Sequence, residues 1–171
     1  MMPFLQDWDF FGGNDLKNKS ILFVCHGNIC RSPMAEFIMK DLVQKAGLTD
    51  QFFIESRATT SDEIRGNHGN PIYPPAAKVM RAHGLNPIGK FAQLLTLDDY
   101  QNFDLLIGMD KKNLADMLRL TADDPAGKIS LIMDYTPNPR PVADPWYTRD
   151  FNQTWQDINE GCEALLKALT A

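Results

Sequence analysis

The sequence predicts an α/β fold, a four-stranded parallel sheet with helices on both faces. Short apolar or β-branched runs alternate with segments that carry helix starts and stops, and the final segment repeats apolar residues at steps of three or four. The 171 residues are sized for one domain, and 44% hydrophobic with 23% charged residues is the composition of an ordinary globular core with a solvated surface.

Residues 1–19 read as an N-terminal aromatic extension ahead of a domain over residues 20–171. Phe4, Trp8, Phe10 and Phe11 are too many aromatics for a purely solvated tail, and Gly12-Gly13 breaks what precedes it. Two readings stand: an arm docked on the domain surface, or a patch for a partner or a second copy. Ile21–Val24 is expected as a buried strand. Ser32 as N-cap and Pro33 as first position then predict a helix to about Ala46, stopped by Gly47. Phe52–Glu55 is the second strand, followed by a polar loop containing Gly66, Gly69 and Pro71. Pro74-Pro75 open a second helix to His83, with Gly84 as its stop. Leu105–Ile107 is the third strand, Asp110 the cap of a helix over Lys111–Leu118, and Ile129–Met133 the fourth strand. Five prolines from Pro125 to Pro145 predict a long ordered surface loop of the kind that carries function. Phe151, Trp155, Ile158, Cys162, Leu165 and Leu169 then mark the buried face of a terminal helix.

Charge and cysteine content narrow the function classes. With 17 Lys+Arg against 22 Asp+Glu the formal net charge is −5, which argues against nucleic acid and anionic membranes as partners but not against a small anion site made from backbone amides. The longest apolar run, Ile21–Cys25, is far short of the ~20 residues of a membrane span. Cys25, Cys30 and Cys162 form no C-x-x-C pair and stand at no zinc spacing from the three histidines, so neither a metal nor a disulfide framework is expected. Asp7 and Asp9 stand where a secretory signal has basic residues, which predicts a cytoplasmic protein with free thiols.

The chemistry is expected in the segment Cys25-His26-Gly27-Asn28-Ile29-Cys30-Arg31-Ser32-Pro33, which joins the first strand to the first helix as Cys-x5-Arg-Ser. A turn of this length wraps its amides around one point, and Gly27 and Asn28 are residue types that accept the positive φ such wrapping demands. The helix N-terminus adds free amides and a positive dipole end. The product is a cradle for one phosphate or similar oxyanion, with Arg31 placing its planar fork on two oxygens. Cys25 at the floor, among amide donors and beside a guanidinium, is expected to ionise easily and act as a nucleophile. The bland alternative makes Cys25 a strand-end packing residue and Arg31 a surface residue, and leaves Gly27-Asn28 and Arg31-Ser32-Pro33 without a common cause.

With Pro33-Met34-Ala35-Glu36 following the loop and Asp144-Pro145-Trp146-Tyr147 late in the chain, the sequence resembles the low-molecular-weight protein tyrosine phosphatase family from about Ile21 to Leu169. The resemblance implies that family's three-layer fold and hydrolysis of phosphotyrosine, and of small aryl phosphates, through a cysteinyl-phosphate intermediate, with no cofactor. It implies Cys25 as nucleophile, Arg31 as phosphate ligand and Asp144 as general acid. Pro145 favours an extended Asp144 backbone that holds the carboxyl over the cleft, although an Asp-Pro pair also commonly caps a turn. His26, Gly27, Asn28, Ile29, Cys30 and Ser32 would surround the phosphate, and Trp146 and Tyr147 would wall the aryl ring. Asn28, Ser56 and His83 match positions that brace the loop, while His83 reads equally as a satisfied histidine. Cys30 is either a redox guard that pairs with Cys25 or a buried thiol.

Departures from the family pattern surround the entrance. His26 replaces a commonly apolar or small residue, Trp146 replaces the more frequent tyrosine, Tyr73-Pro74-Pro75 stands where many members have Asp-Pro-Arg, and the loop from Arg65 to His68 is longer. A phosphoarginine phosphatase is the nearest alternative, but that branch has Thr where Ile29 stands. An arsenate reductase would need further cysteines between Cys30 and Cys162, and a non-turnover phosphocysteine carrier would have no use for Asp144.

Overall fold

The structure, a computed structural model, describes residues 19–171. The expected aromatic extension therefore lies, up to residue 18, outside the described residues. Strand β1 (Lys19–Cys25) is paired in parallel on one side with β2 (Phe52–Ala58) and on the other with β5 (Leu105–Gly108), beyond which lies β6 (Ile129–Leu131). The sheet order is β2-β1-β5-β6, all parallel.

An interior strand covered on both faces must be apolar where it is covered, and β1 is apolar and buried from Ile21 to Cys25. Ile21, Phe23 and Cys25 point into a core shared with α1 (Arg31–Lys45), α2 (Pro74–Ala82) and α6 (Phe151–Thr170). Leu22 and Val24 point into the opposite core, built with Tyr100 of α3 (Leu97–Asn102) and Met117 of α4 (Lys111–Leu120). The stripe expected on the terminal helix is real: Ile158, Cys162 and Leu165 are fully buried. Burying such aliphatic side chains is worth roughly 1.5–3 kcal/mol each. No helix among the described residues is long and apolar enough to cross a membrane.

Several boundaries differ from the sequence expectation. Helix α1 begins at Arg31, one residue before Ser32, and its capping position is Cys30, whose side chain makes no cap bond. Ser32 is thus not the N-cap and Pro33 not the first position, because the Ser32 hydroxyl bonds inward to the loop instead. Strand β6 stops at Leu131, and Ile132–Tyr135 form a 3-10 turn that buries Ile132 and Met133 beneath α6. The segment expected as a polar loop contains a small antiparallel hairpin, β3 (Ile64–Arg65) and β4 (His68–Gly69). Its seat explains Gly69: a Cβ there would stand 1.9 Å from the Ala92 carbonyl oxygen. A further short helix, α5 (Pro145–Thr148), breaks the proline-rich loop.

Candidate active site

β1 ends at Cys25, and the chain then turns through His26–Cys30 into α1 at the carboxyl edge of the sheet. Two bonds from the β2 end tie the turn down, Thr59 N–H to the Cys25 carbonyl at 2.9 Å and Thr60 N–H to the His26 carbonyl at 3.2 Å. On the other side Tyr73 N–H donates to the Ile29 carbonyl at 2.9 Å. Of the two residues expected in the left-handed region only Asn28 is there, at φ 60°. Gly27 serves by lacking a side chain, since a Cβ would lie 3.1 Å from Glu63 Cγ.

Asn28 is buried and uses its whole amide. Its Nδ2 donates to Ser32 Oγ at 2.8 Å and to Ser56 Oγ at 2.9 Å, and its Oδ1 accepts from Gln93 N–H at 3.0 Å. Ser56 in turn donates to Glu36 Oε1 at 2.6 Å, and the buried Glu36 carboxylate meets Lys40 at 2.6 Å and Lys90 at 3.0 Å. Burial pushes the Glu36 carboxyl up, but Lys90, Lys40 and the Ser56 hydroxyl together hold it below its ordinary range. The chain Glu36–Ser56–Asn28–Ser32 ends at the sulfur: Cys25 Sγ is 3.1 Å from Ser32 Oγ and 3.4 Å from Ser32 N. Because Ser32 Oγ already accepts from Asn28, its single proton is available to Cys25 or to the Arg57 carbonyl at 3.4 Å.

Arg31 is 2% exposed. Its Nη1 donates to Asp110 Oδ2 at 2.7 Å and to the Val142 carbonyl at 2.8 Å, and its Nη2 lies 3.5 Å from Asp144 Oδ2. Burial works against its charge, yet Cys25, Asp110 and Asp144 outweigh it and hold the guanidinium above its ordinary range. Asp110 is the predicted cap, accepting from Asn113 N–H at 2.8 Å, but it also orients Arg31, a second role invisible in the local pattern. Val142, fully buried, donates its N–H to the Met109 carbonyl at 3.0 Å and so pins the loop that carries Asp144.

The turn-cap reading of Asp144 is met, since Oδ1 caps α5 by accepting from Trp146 N–H at 3.0 Å, and the other oxygen, Oδ2, faces Arg31. Its backbone is extended, as the following proline requires. Trp146 leans on Tyr73 with ring centroids 5.1 Å apart, and Tyr147 is the more exposed of the pair. A cleft of about 220 Å³ gathers Cys25, Arg31, Asp144, Trp146 and Tyr147, with His26, Gly27, Ile29 and Cys30 also on its wall. Asn28 and Ser32 brace it from behind.

His83 is not part of the brace. Its Nδ1 bonds the Val79 carbonyl at 3.0 Å and its ring stacks on Trp155 at 4.0 Å, the satisfied-histidine alternative. Cys25, Cys30 and Cys162 are free, and burial, followed by the nearby Cys25, pushes the Cys30 thiol up. Cys162 is sealed in the core against the Ala35 carbonyl. Two wall residues were missed by sequence reading, Asp62 and Glu63, which the β3–β4 hairpin brings to the mouth. Among the described residues no cluster of His, Cys, Asp and Glu is arranged to hold a metal ion.

Residues 20–171 match the sequence profile of the low molecular weight phosphotyrosine protein phosphatases. The chain is 36% identical over 153 residues to the low molecular weight protein-tyrosine-phosphatase YfkJ of Bacillus subtilis, covering 88% of this chain and 95% of that protein. It is 35% identical over 154 residues to the human low molecular weight phosphotyrosine protein phosphatase, covering 87% and 94%. Among solved structures, YfkJ superposes with a TM-score of 0.79 at 35% identity, covering 88% of this chain and 94% of that one. The low molecular weight protein tyrosine phosphatase of Streptococcus pyogenes gives 0.78 at 39%, covering 90% and 94%. A Drosophila arginine phosphatase also shares the fold, with a TM-score of 0.78 at 28% identity and coverage of 88% and 98%. The chain belongs to the low molecular weight phosphotyrosine protein phosphatase family.

Proposed function

We propose that this protein hydrolyses phosphotyrosine in phosphorylated proteins, and small aryl phosphates, through a cysteinyl-phosphate intermediate, with residues 20–171 as the phosphatase domain. The observation that carries the reading is the convergence of the Cys25 sulfur, the amide end of α1, the Arg31 fork and the Asp144 carboxyl on one cleft. A phosphate dianion seated on the loop amides becomes the stronger partner for Arg31 Nη2 and releases Asp144 Oδ2 to the leaving oxygen. Cys25 then attacks phosphorus as its thiolate, the P–O(aryl) bond breaks, and Asp144 gives its proton to the departing phenolate. In the second step Asp144 takes a proton from water as that water attacks phosphorus. The S–P bond breaks, and inorganic phosphate and the Cys25 thiolate leave the step. Ser32, held by Asn28, stabilises the thiolate before and after each cycle.

Trp146 and Tyr147 give an aryl ring a surface to stack on, which supports an aromatic ester over a phosphoserine that would not fill the gap between wall and floor. An acid poised over the leaving group also favours turnover over a phosphocysteine carrier. The loop amides and Arg31 supply the charge that the reaction needs, so a chelator should leave the rate unchanged. The reducing cytoplasm suits three free cysteines and is the compartment we assign. The decisive experiment is a steady-state comparison of phosphotyrosine, phosphoserine and phosphoarginine substrates. Phosphotyrosine should have the highest kcat/KM, and a higher value for phosphoarginine would move the protein to the arginine-phosphatase reading.

A further inference from the structure

The cleft is lined by two unlike groups. One is the aromatic pair Trp146 and Tyr147, and the other is the polar set His26, Asp62 and Glu63. The polar wall is built, not merely exposed. His26 Nε2 meets Asp62 Oδ2 at 2.7 Å, and Thr60 Oγ1 lies 3.4 Å from the same ring nitrogen while accepting from Asp62 N–H. Glu63 Oε1 accepts from Asn70 Nδ2 at 2.9 Å, and Asn70 N–H donates to the Glu63 carbonyl at 2.8 Å, so both ends of this residue are held. The bare Cα of Gly27 gives its side chain room against the loop. The hairpin behind it is locked onto the Ala92 backbone by Gly69, where any Cβ would collide.

The charges on this wall do not cancel. Asn70 is neutral and leaves the Glu63 carboxylate uncompensated, and Asp62 has at most the His26 imidazolium. Two carboxylates against one imidazolium leave a surplus negative charge even with the histidine protonated. Among the described residues Arg31 is the one Lys or Arg on the cleft wall, and it is buried at the floor between Asp110 and Asp144. A phosphotyrosine with its phosphate on the floor and its ring against the aromatic pair would carry its flanking residues out through a mouth lined in part by Asp62 and Glu63.

We propose that His26, Asp62 and Glu63 form a charge-reading wall that selects phosphotyrosine sites flanked by lysine or arginine and disfavours acidic flanks. The proposal rests on the phosphotyrosine reading above and specifies which phosphopeptides it favours. His26 acts as a positioning residue that aims the Asp62 carboxylate across the mouth, and Glu63 is aimed by Asn70. This charge selection is independent of the ring stacking supplied by Trp146 and Tyr147.

The test compares kcat/KM for matched phosphotyrosine peptides that carry Lys, Ala or Glu on both sides of the phosphotyrosine. The wild-type protein should favour Lys over Glu flanks by about five-fold at low salt, the worth of one or two partly exposed ion pairs, mainly through KM. The ratio should shrink towards one as salt rises to about 0.5 M. The double variant D62N/E63Q should lose the ratio, whereas D62E/E63D, which keeps both charges, should retain most of it. Equal values for the two flanks in the wild type, or a preference that survives D62N/E63Q, would overturn the inference while leaving the phosphotyrosine reading intact. No turnover of any phosphotyrosine peptide would overturn both.

Discussion

Asn28 illustrates how much one side chain can be asked to do. It takes the left-handed backbone that the loop needs, and its buried amide serves Ser32, Ser56 and the Gln93 backbone at once. Asn28→Ala leaves the Gln93 N–H and two serine hydroxyls short of a partner and puts an alanine at positive φ. A loss of about 1–3 kcal/mol in chemical denaturation is expected, together with a fall in kcat larger than any change in KM. At Asp144 the two roles can be separated. Asp144→Asn keeps an acceptor for the Trp146 N–H but has no proton to give, so kcat on phosphotyrosine should drop by roughly 10²–10⁴. With an aryl phosphate whose leaving phenol is strongly acidic, the drop in the first step should be far smaller. Rapid-mixing measurement of phenol release on both substrates checks this, and equal losses would remove Asp144 as the acid. Cys25→Ser should abolish hydrolysis altogether, because a serine hydroxyl stays un-ionised where a thiol ionises and so attacks far more weakly, and an alkoxide is a poorer leaving group than a thiolate.

Among the elements, α6 shows packing overruling propensity. Gly161 lies mid-helix, where alanine would ordinarily gain roughly 0.5–1 kcal/mol. A Cβ there would stand 2.5 Å from Ile132 Cγ1 and 3.2 Å from Met133 Sδ, both in residues that are fully buried with nowhere to retreat. Overpacking of this kind costs about 1–3 kcal/mol, so Gly161→Ala should lower the denaturation midpoint despite its better helix propensity. The short helix α5 is stabilised from outside itself. Arg149, left-handed at its end, donates to the Tyr73 hydroxyl at 3.2 Å and stands over the Tyr73 and Phe151 rings, and Tyr73 supports Trp146. Tyr73 also bonds the Ile29 carbonyl through its backbone, so the Tyr-Pro-Pro departure ties the anion loop to the aromatic wall.

For the whole molecule, the pH dependence of stability should be readable at Glu36. Its carboxyl is held below its ordinary value in the folded protein, so its contribution is fully present above the unfolded value near 4.5 and is lost as pH falls through the lower, folded value. Glu36→Gln should therefore cost stability at neutral pH and lose less than the wild type on going from neutral to acid. Urea midpoints for both proteins across that range would show it, and parallel curves would mean that other carboxylates carry the acid sensitivity. The same residue links the two scales below it, since its fixed carboxylate ends the chain that reaches Cys25 through Ser56, Asn28 and Ser32.

Local signals were enough for the parallel sheet, the terminal helix and the Cys25–Ser32 loop, because a buried strand, an amphipathic stripe and a wrapped turn each write their requirement into consecutive or regularly spaced residues. Asp110 was legible only as a cap, since its bond to Arg31 spans 79 positions and leaves no local trace. Exact starts also escaped. Ser32 has the chemistry of a cap, but Asn28 and Cys25 claim its hydroxyl. The β3–β4 hairpin was hidden because two-residue strands carry no periodicity, and Gly69 marks a contact with Ala92 that its neighbours in sequence do not announce. The sequence by itself thus determined the Cys25–Ser32 turn between strand and helix and the scaffold that presents it. Which side chains turn that loop into a walled, charged cleft was decided only by tertiary contact, because partners brought together by folding need not be adjacent or periodic in the chain.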